Sequence, residues 1–209
     1  SGSRPRNAII NTLPIVFDSS VKRNPCVTAI MKGLSKKDTH LSMVPDINNM
    51  QGVSHLSQTI LNLFNSDAKY NLVFKVGEAG YGKNAHTVGK TINGVLTVTI
   101  TLDEDYVKRG TQLALARTLI HESMHAYLKY VTRKYSNSEV SDVLNTYYNN
   151  HMQNENIAHH IFMSEYVDAI ASSLAAWDGH KLSSSYYNDL AWSGDMQNTE
   201  AFNKLPKSK

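Results

Sequence analysis

The chain has 209 residues, with 21 Lys and Arg against 18 Asp and Glu for a net charge of +3, and one cysteine, Cys26. That length fits one domain with a real hydrophobic core. The mild charge and the absence of a long basic run give no expectation of a nucleic-acid partner, and a single cysteine excludes an internal disulfide. No apolar stretch reaches the roughly 20 residues a membrane span needs, and no signal-peptide pattern is visible. Ser1-Gly2-Ser3 resembles a cloning scar, so the expected organisation is a leader over 1–12, one domain over 13–205 and a short tail over 206–209.

In chain order, Leu13 to Phe17 reads as an extended piece. Asn24-Pro25 combines a capping residue with a first-position proline and opens a helix to about Leu34, on which Cys26 reads as a small apolar residue. A polar, proline-containing stretch, with Lys36 and Lys37 as solvated charges, leads to a second helix near Val53 to Asn65 that carries Leu56, Ile60, Leu61 and Phe64 on one face. Tyr70 to Val76 is a strand by its β-branched and aromatic content. A glycine-rich loop spans Gly77 to Gly89. From Gly94 to Leu102, Leu96, Val98, Ile100 and Leu102 alternate with Val95 and threonines, the pattern of a half-buried strand. Asp103 to Asp105 lead into a long helix from about Thr111 to Val131. A polar helix follows at about Glu139 to Asn149, a long apolar one at about Ile157 to Trp177, and aromatic-rich helical turns from Tyr186 to Phe202. This order predicts an α+β fold, a small antiparallel or mixed sheet with further helices toward the C-terminus.

The helix from Thr111 contains His121-Glu122-Ser123-Met124-His125. Residues four apart on a helix share a face, with Cβ atoms about 5–6 Å apart, so His121 and His125 can reach one Zn2+ ion while Glu122 stands beside them to take a proton from an attacking water. The bland alternative is an amphipathic helix that happens to carry two histidines. Against it, Leu113, Ile120, Met124, Tyr127, Leu128 and Val131 mark a largely buried helix, in which two imidazoles and a carboxylate need partners.

Catalytic zinc takes three protein ligands plus water. The later apolar helix offers His159, His160, Glu165 and Asp168. Met163, Tyr166, Ile170, Leu174 and Trp177 continue one apolar stripe from His159, whereas His160 leads to a mixed face. His159 is the first choice of third ligand, Glu165 the second and His160 the third, with His151 weaker. The loop Gly77-Glu-Ala-Gly-Tyr-Gly-Lys83-Asn84 nearly matches a phosphate-binding loop, but strand rather than helix follows it, so no helix N-terminus faces a phosphate.

Thr118 to Ala126, the strand Val95 to Leu102, the stretch His159 to Met163 with Tyr166 to Ala171, and the tail Tyr186 to Gly194 together resemble zincin-like, SprT-like domains at the C-termini of large secreted or polymorphic-toxin proteins of Bacteroidetes. The resemblance covers roughly residues 14 to 205 and implies a zincin-like fold and a zinc metallopeptidase. His121, His125 and His159 would hold the metal, Glu122 would act as general base, and Tyr166 or His160 would help stabilise the oxyanion. It also implies a protein or peptide substrate, an immunity or inhibitor protein as partner, and secretion or delivery as part of a larger bacterial protein. The strand over 95–102 is expected to lie above the metal helix with an edge open to substrate. The competing reading from another class is a non-catalytic, zinc-stabilised protein-binding module.

Overall fold

The computed structural model describes residues 15–35 and 56–206. Expectations for Ser1 to Pro14, Lys36 and Lys37, the proline-containing stretch, the first turn of the helix near Val53, and the last three residues lie outside them.

The chain runs β1 (Ile15–Phe17), α1 (Ser19–Lys22), α2 (Pro25–Leu34), α3 (Leu56–Asn65), β2 (Tyr70–Gly77), β3 (Ala85–Ile92), β4 (Val95–Asp103), α4 (Glu104–Arg109), α5 (Gln112–Lys134), α6 (Glu139–Asn150), α7 (Glu155–Met163), α8 (Val167–Asp178), α9 (Ser184–Ala191) and α10 (Glu200–Asn203). Single 3₁₀ turns at Ser164–Tyr166 and Gly194–Asn198 join the later helices. The fold is α+β with a mixed four-stranded sheet in the order β1-β2-β4-β3. β1, β2 and β4 are parallel, and β3 runs antiparallel to β4 at the edge.

Helix α5 is the axis of the molecule. Every residue from Leu115 to Leu128 is buried, because the helix touches the sheet through β3 and β4, α2 and α3, and the later helices α6 to α9. Its start is fixed chemically: Thr111 accepts a hydrogen bond from Ala114 N, satisfying one of the donors a helix leaves unpaired at its N-terminus. Leu72, Phe74, Val98, Ile100 and Leu102 of the sheet meet Leu115, Leu119, Ile120 and Met124 of α5 in a continuous core that Ile170 and Leu174 of α8 complete.

Three expectations change. The strand β3 begins inside the stretch Gly77 to Gly89 read as a loop and runs three residues past it; only Thr87 of its eight residues is buried, so it shows no alternation to read. The apolar helix near Ile157 to Trp177 is two helices, broken by the 3₁₀ turn at Ser164–Tyr166. Strand β4 is interior, paired on both sides, and among the described residues the sheet edges are β1 and β3. The glycine loop enters β3 and not a helix. No helix among the described residues is long and apolar enough to cross a membrane.

Candidate metal centre

Helix α5 supplies His121, Glu122 and His125 on consecutive turns, and α7 approaches from the C-terminal half. Asn154 caps α7 by accepting from Ile157 N at 3.2 Å. The preceding Met152 and Gln153 take left-handed backbone angles, φ 54° and 56°, in the reversal that sends α7 back across α5.

His160 Nε2 lies 3.2 Å from His121 Nε2 and 3.2 Å from His125 Nε2. Zinc bound to imidazole nitrogens at 2.0–2.1 Å with tetrahedral angles holds them about 3.3 Å apart. The two spacings to His160 match that separation, and the ligand atoms of all three histidines lie within 4.8 Å of one another, close enough to share one ion. The chemistry of the donor set agrees: a single in-plane proton or lone pair on His160 Nε2 serves only one of its two contacts well, whereas a central cation serves all three nitrogens. Among the described residues these three buried histidines are the group able to hold a metal ion.

His159 is placed differently from the expectation. It is as buried as His160, at 4% against 5% exposure, but its Nδ1 meets Nδ1 of His125 at 3.0 Å, on the side away from the cluster. The reason is physical. An apolar stripe reports which side chains face the core, and His159 does. A ligand at an open centre must instead sit where core gives way to a polar cleft, which is the mixed face carrying His160. Glu165 accepts from the Tyr147 hydroxyl at 3.0 Å and Asp168 from Asn188 at 3.0 Å, both on the exposed side. Tyr166 stacks on Phe162 with centroids 5.2 Å apart and does not line the cleft. Burial holds its hydroxyl up at about 12.

The cleft, of about 470 Å3, is walled by the β3 side (Lys83 to Thr87), by Arg117, His121, Glu122 and His125 of α5, and by His160 and Asp195. A larger cavity of about 1000 Å3 adjoins it and shares Asn156, His160 and Asp195. Inside the first, Thr87 Oγ1 donates to Glu122 Oε2 at 2.6 Å. Burial raises the Glu122 carboxyl to about 7, with the Thr87 hydrogen bond and nearby Arg117 pulling the other way. Burial also drives the imidazoles down: His121 and His125 lie well below the usual histidine value, and His159 and His160 fall to about 4. All four are thus neutral, the form in which imidazole binds metal.

Several contributors were not singled out from sequence. Arg117, one turn before His121, donates to the carbonyls of Leu190, Ala191 and Ser193. This pins the segment that brings Asp195 to the cleft. Gly194 (φ 73°) lets the guanidinium come close; a Cβ there would lie 3.2 Å from Nη1. A charged residue inside a buried helix was the available signal for Arg117. Thr87 gave none, since nothing local ties an edge threonine to a carboxylate 35 residues away.

No family model, curated protein or solved structure matches the chain.

Proposed function

We propose that the chain is a zinc-dependent peptidase of zincin-like, SprT-like type. The observation that carries this reading is the convergence of three imidazole Nε2 atoms beside a buried carboxylate at the floor of an open cleft. A structural zinc site closes its coordination with four protein ligands, whereas a catalytic one leaves a position for water and substrate. Three histidines at the cleft favour the second.

His121, His125 and His160 would hold the ion. When bound, zinc supplies Lewis-acid activation of water and polarisation of the scissile carbonyl. The protein's own residues do the rest. Glu122, next to His121 and raised to about 7, takes the proton from the attacking water on its carboxylate and returns it to the leaving amine. Thr87 holds that carboxylate in place from β3 through its 2.6 Å hydrogen bond. The edge of β3, unpaired among the described residues, would offer backbone donors and acceptors to an extended peptide. Lys83 and His86 flank the entry. The setting that accompanies the resemblance, a domain of a larger secreted bacterial protein with an immunity protein as partner, belongs to the same proposal.

The test is Glu122→Gln assayed on a peptide library with zinc content measured in parallel. Cleavage should fall by about 10²–10⁴-fold with zinc retained. Undiminished cleavage would sink the mechanism.

A further inference from the structure

Neutral imidazole has one N–H and one lone pair, so a histidine that gives Nε2 to a metal must carry its proton on Nδ1. That proton needs an acceptor. For His121 the described residues provide none: its Nδ1 is buried without a hydrogen-bond partner. For His125 they provide one, since His159 Nδ1 stands 3.0 Å away with the two ring planes 34° apart.

We infer that His159 is a positioning residue of the metal centre, holding His125 in the tautomer and orientation that present Nε2 to the ion. The inference rests on the proposed zinc site. The proton order follows from the geometry. His125 Nδ1–H donates to His159 Nδ1, which places the His159 proton on Nε2. That nitrogen faces Glu155 Oε1 at 3.8 Å, and the other carboxylate oxygen, Oε2, accepts from Lys129 Nζ at 2.7 Å. Lys129 sits one turn beyond His125 on α5, and Glu155 one turn before His159 on α7. Two hydrogen bonds therefore join the helices that carry the ligands, Lys129 to Glu155 and His125 to His159, with the Glu155 carboxylate standing near the far side of the His159 ring. Partners of this kind, behind a ligand, are worth about 10–100-fold in metal affinity when removed.

The experiment uses the full chain loaded with zinc and titrated against a competing chelator. It compares wild type with His159→Leu, which removes the acceptor, and His159→Asn, whose side-chain oxygen can take the place of Nδ1. Leucine should weaken zinc binding by about 10–100-fold and asparagine should recover most of the loss. The absorption spectrum of the cobalt-substituted protein should keep the same coordination signature in all three. Wild-type affinity in His159→Leu overturns the inference, as does equal loss in both variants. A changed cobalt spectrum in His159→Asn also overturns it, because His159 would then be a ligand. Should His159→Leu fail to fold, the wild type decides: its ¹⁵N-histidine spectrum must show a proton on His125 Nδ1 coupled across the hydrogen bond to His159 Nδ1, and a bare His125 Nδ1 overturns the assignment. A wild type that takes up no zinc overturns the functional reading and this inference with it, whereas a zinc-binding wild type matched by His159→Leu overturns only the inference.

Discussion

Two neighbouring histidines on α7 are placed differently because a helix turns by about 100° per residue. His160 meets the cluster and His159 meets the back of His125. Glu122 likewise has a fixed place, its carboxylate accepting from Thr87, and in the proposed mechanism that place is what lets it serve as base. Replacing Thr87 by Val removes a 2.6 Å hydrogen bond to that carboxylate while keeping the side-chain volume. Bonds to charged groups contribute about 1.5–3 kcal/mol, so peptide cleavage should drop by roughly one to two orders of magnitude. Zinc affinity should stay at the wild-type level, because Thr87 touches no imidazole of the cluster. Kinetics on a cleaved peptide and chelator competition check the two halves separately; a parallel fall in zinc affinity would show that Thr87 supports the metal site itself.

Among the elements, α5 must be held at both ends to serve as a platform. At its C-terminal end Lys134 Nζ pairs with Asp67 at 2.8 Å and donates to the Tyr130 hydroxyl at 2.6 Å. The hydrogen bond from Lys134 lowers the Asp67 carboxyl below its usual value, despite some opposing burial. A carboxyl whose folded pKa is depressed adds stability above its unfolded value and loses it as the pH falls through the folded one. Asp67→Asn should therefore cost about 1 kcal/mol at pH 7, roughly 2–4 °C in Tm, and progressively less as a second, acidic pH is set further below the usual carboxylate value. Thermal melts at the two pH values check this, and an equal loss at both would assign the cost to packing. The elements also show what sequence could and could not carry. Helix α5 was legible from the apolar residues that recur along it, β4 from its alternation, and β2 from its β-branched and aromatic content. Strand β3 was not, since an edge with one buried residue has no period. The helix break at Ser164–Tyr166 was hidden because α7, the turn and α8 all keep their apolar residues inward. His121, Glu122 and His125 could be read from spacing along one helix. The choice between His159 and His160 could not, because it depends on where the cleft opens between α7 and β3, a long-range fact.

For the molecule as a whole, four neutral buried histidines make stability depend on acid. Each has a folded pKa below 6.5, with His159 and His160 near 4. The unfolded chain therefore takes up protons first as pH falls. In metal-free protein stability should decline from about pH 6.5 down to about 4, by up to about 1.4 kcal/mol per unit for each such histidine, offset by one such contribution from Glu122, whose raised carboxyl takes up its proton in the folded state over the same window. Zinc at the proposed site would hold its three ligand imidazoles neutral and should move the decline to lower pH. Melting temperature against pH, with zinc and with chelator, tests this; superimposable curves would remove the metal from the account, and a flat metal-free curve between pH 6.5 and 4.5 would contradict the burial-driven shifts.

The contact between His125 and His160 joins positions 35 residues apart, across a segment that contains all of α6 and the left-handed turn before α7. An ion shared by those two side chains would tie off that segment as a ring. Cross-linking a ring of this size takes about 4 kcal/mol of freedom from the unfolded chain on a chain-entropy account. In a protein with one cysteine, the site would then serve as its staple as well as its reagent.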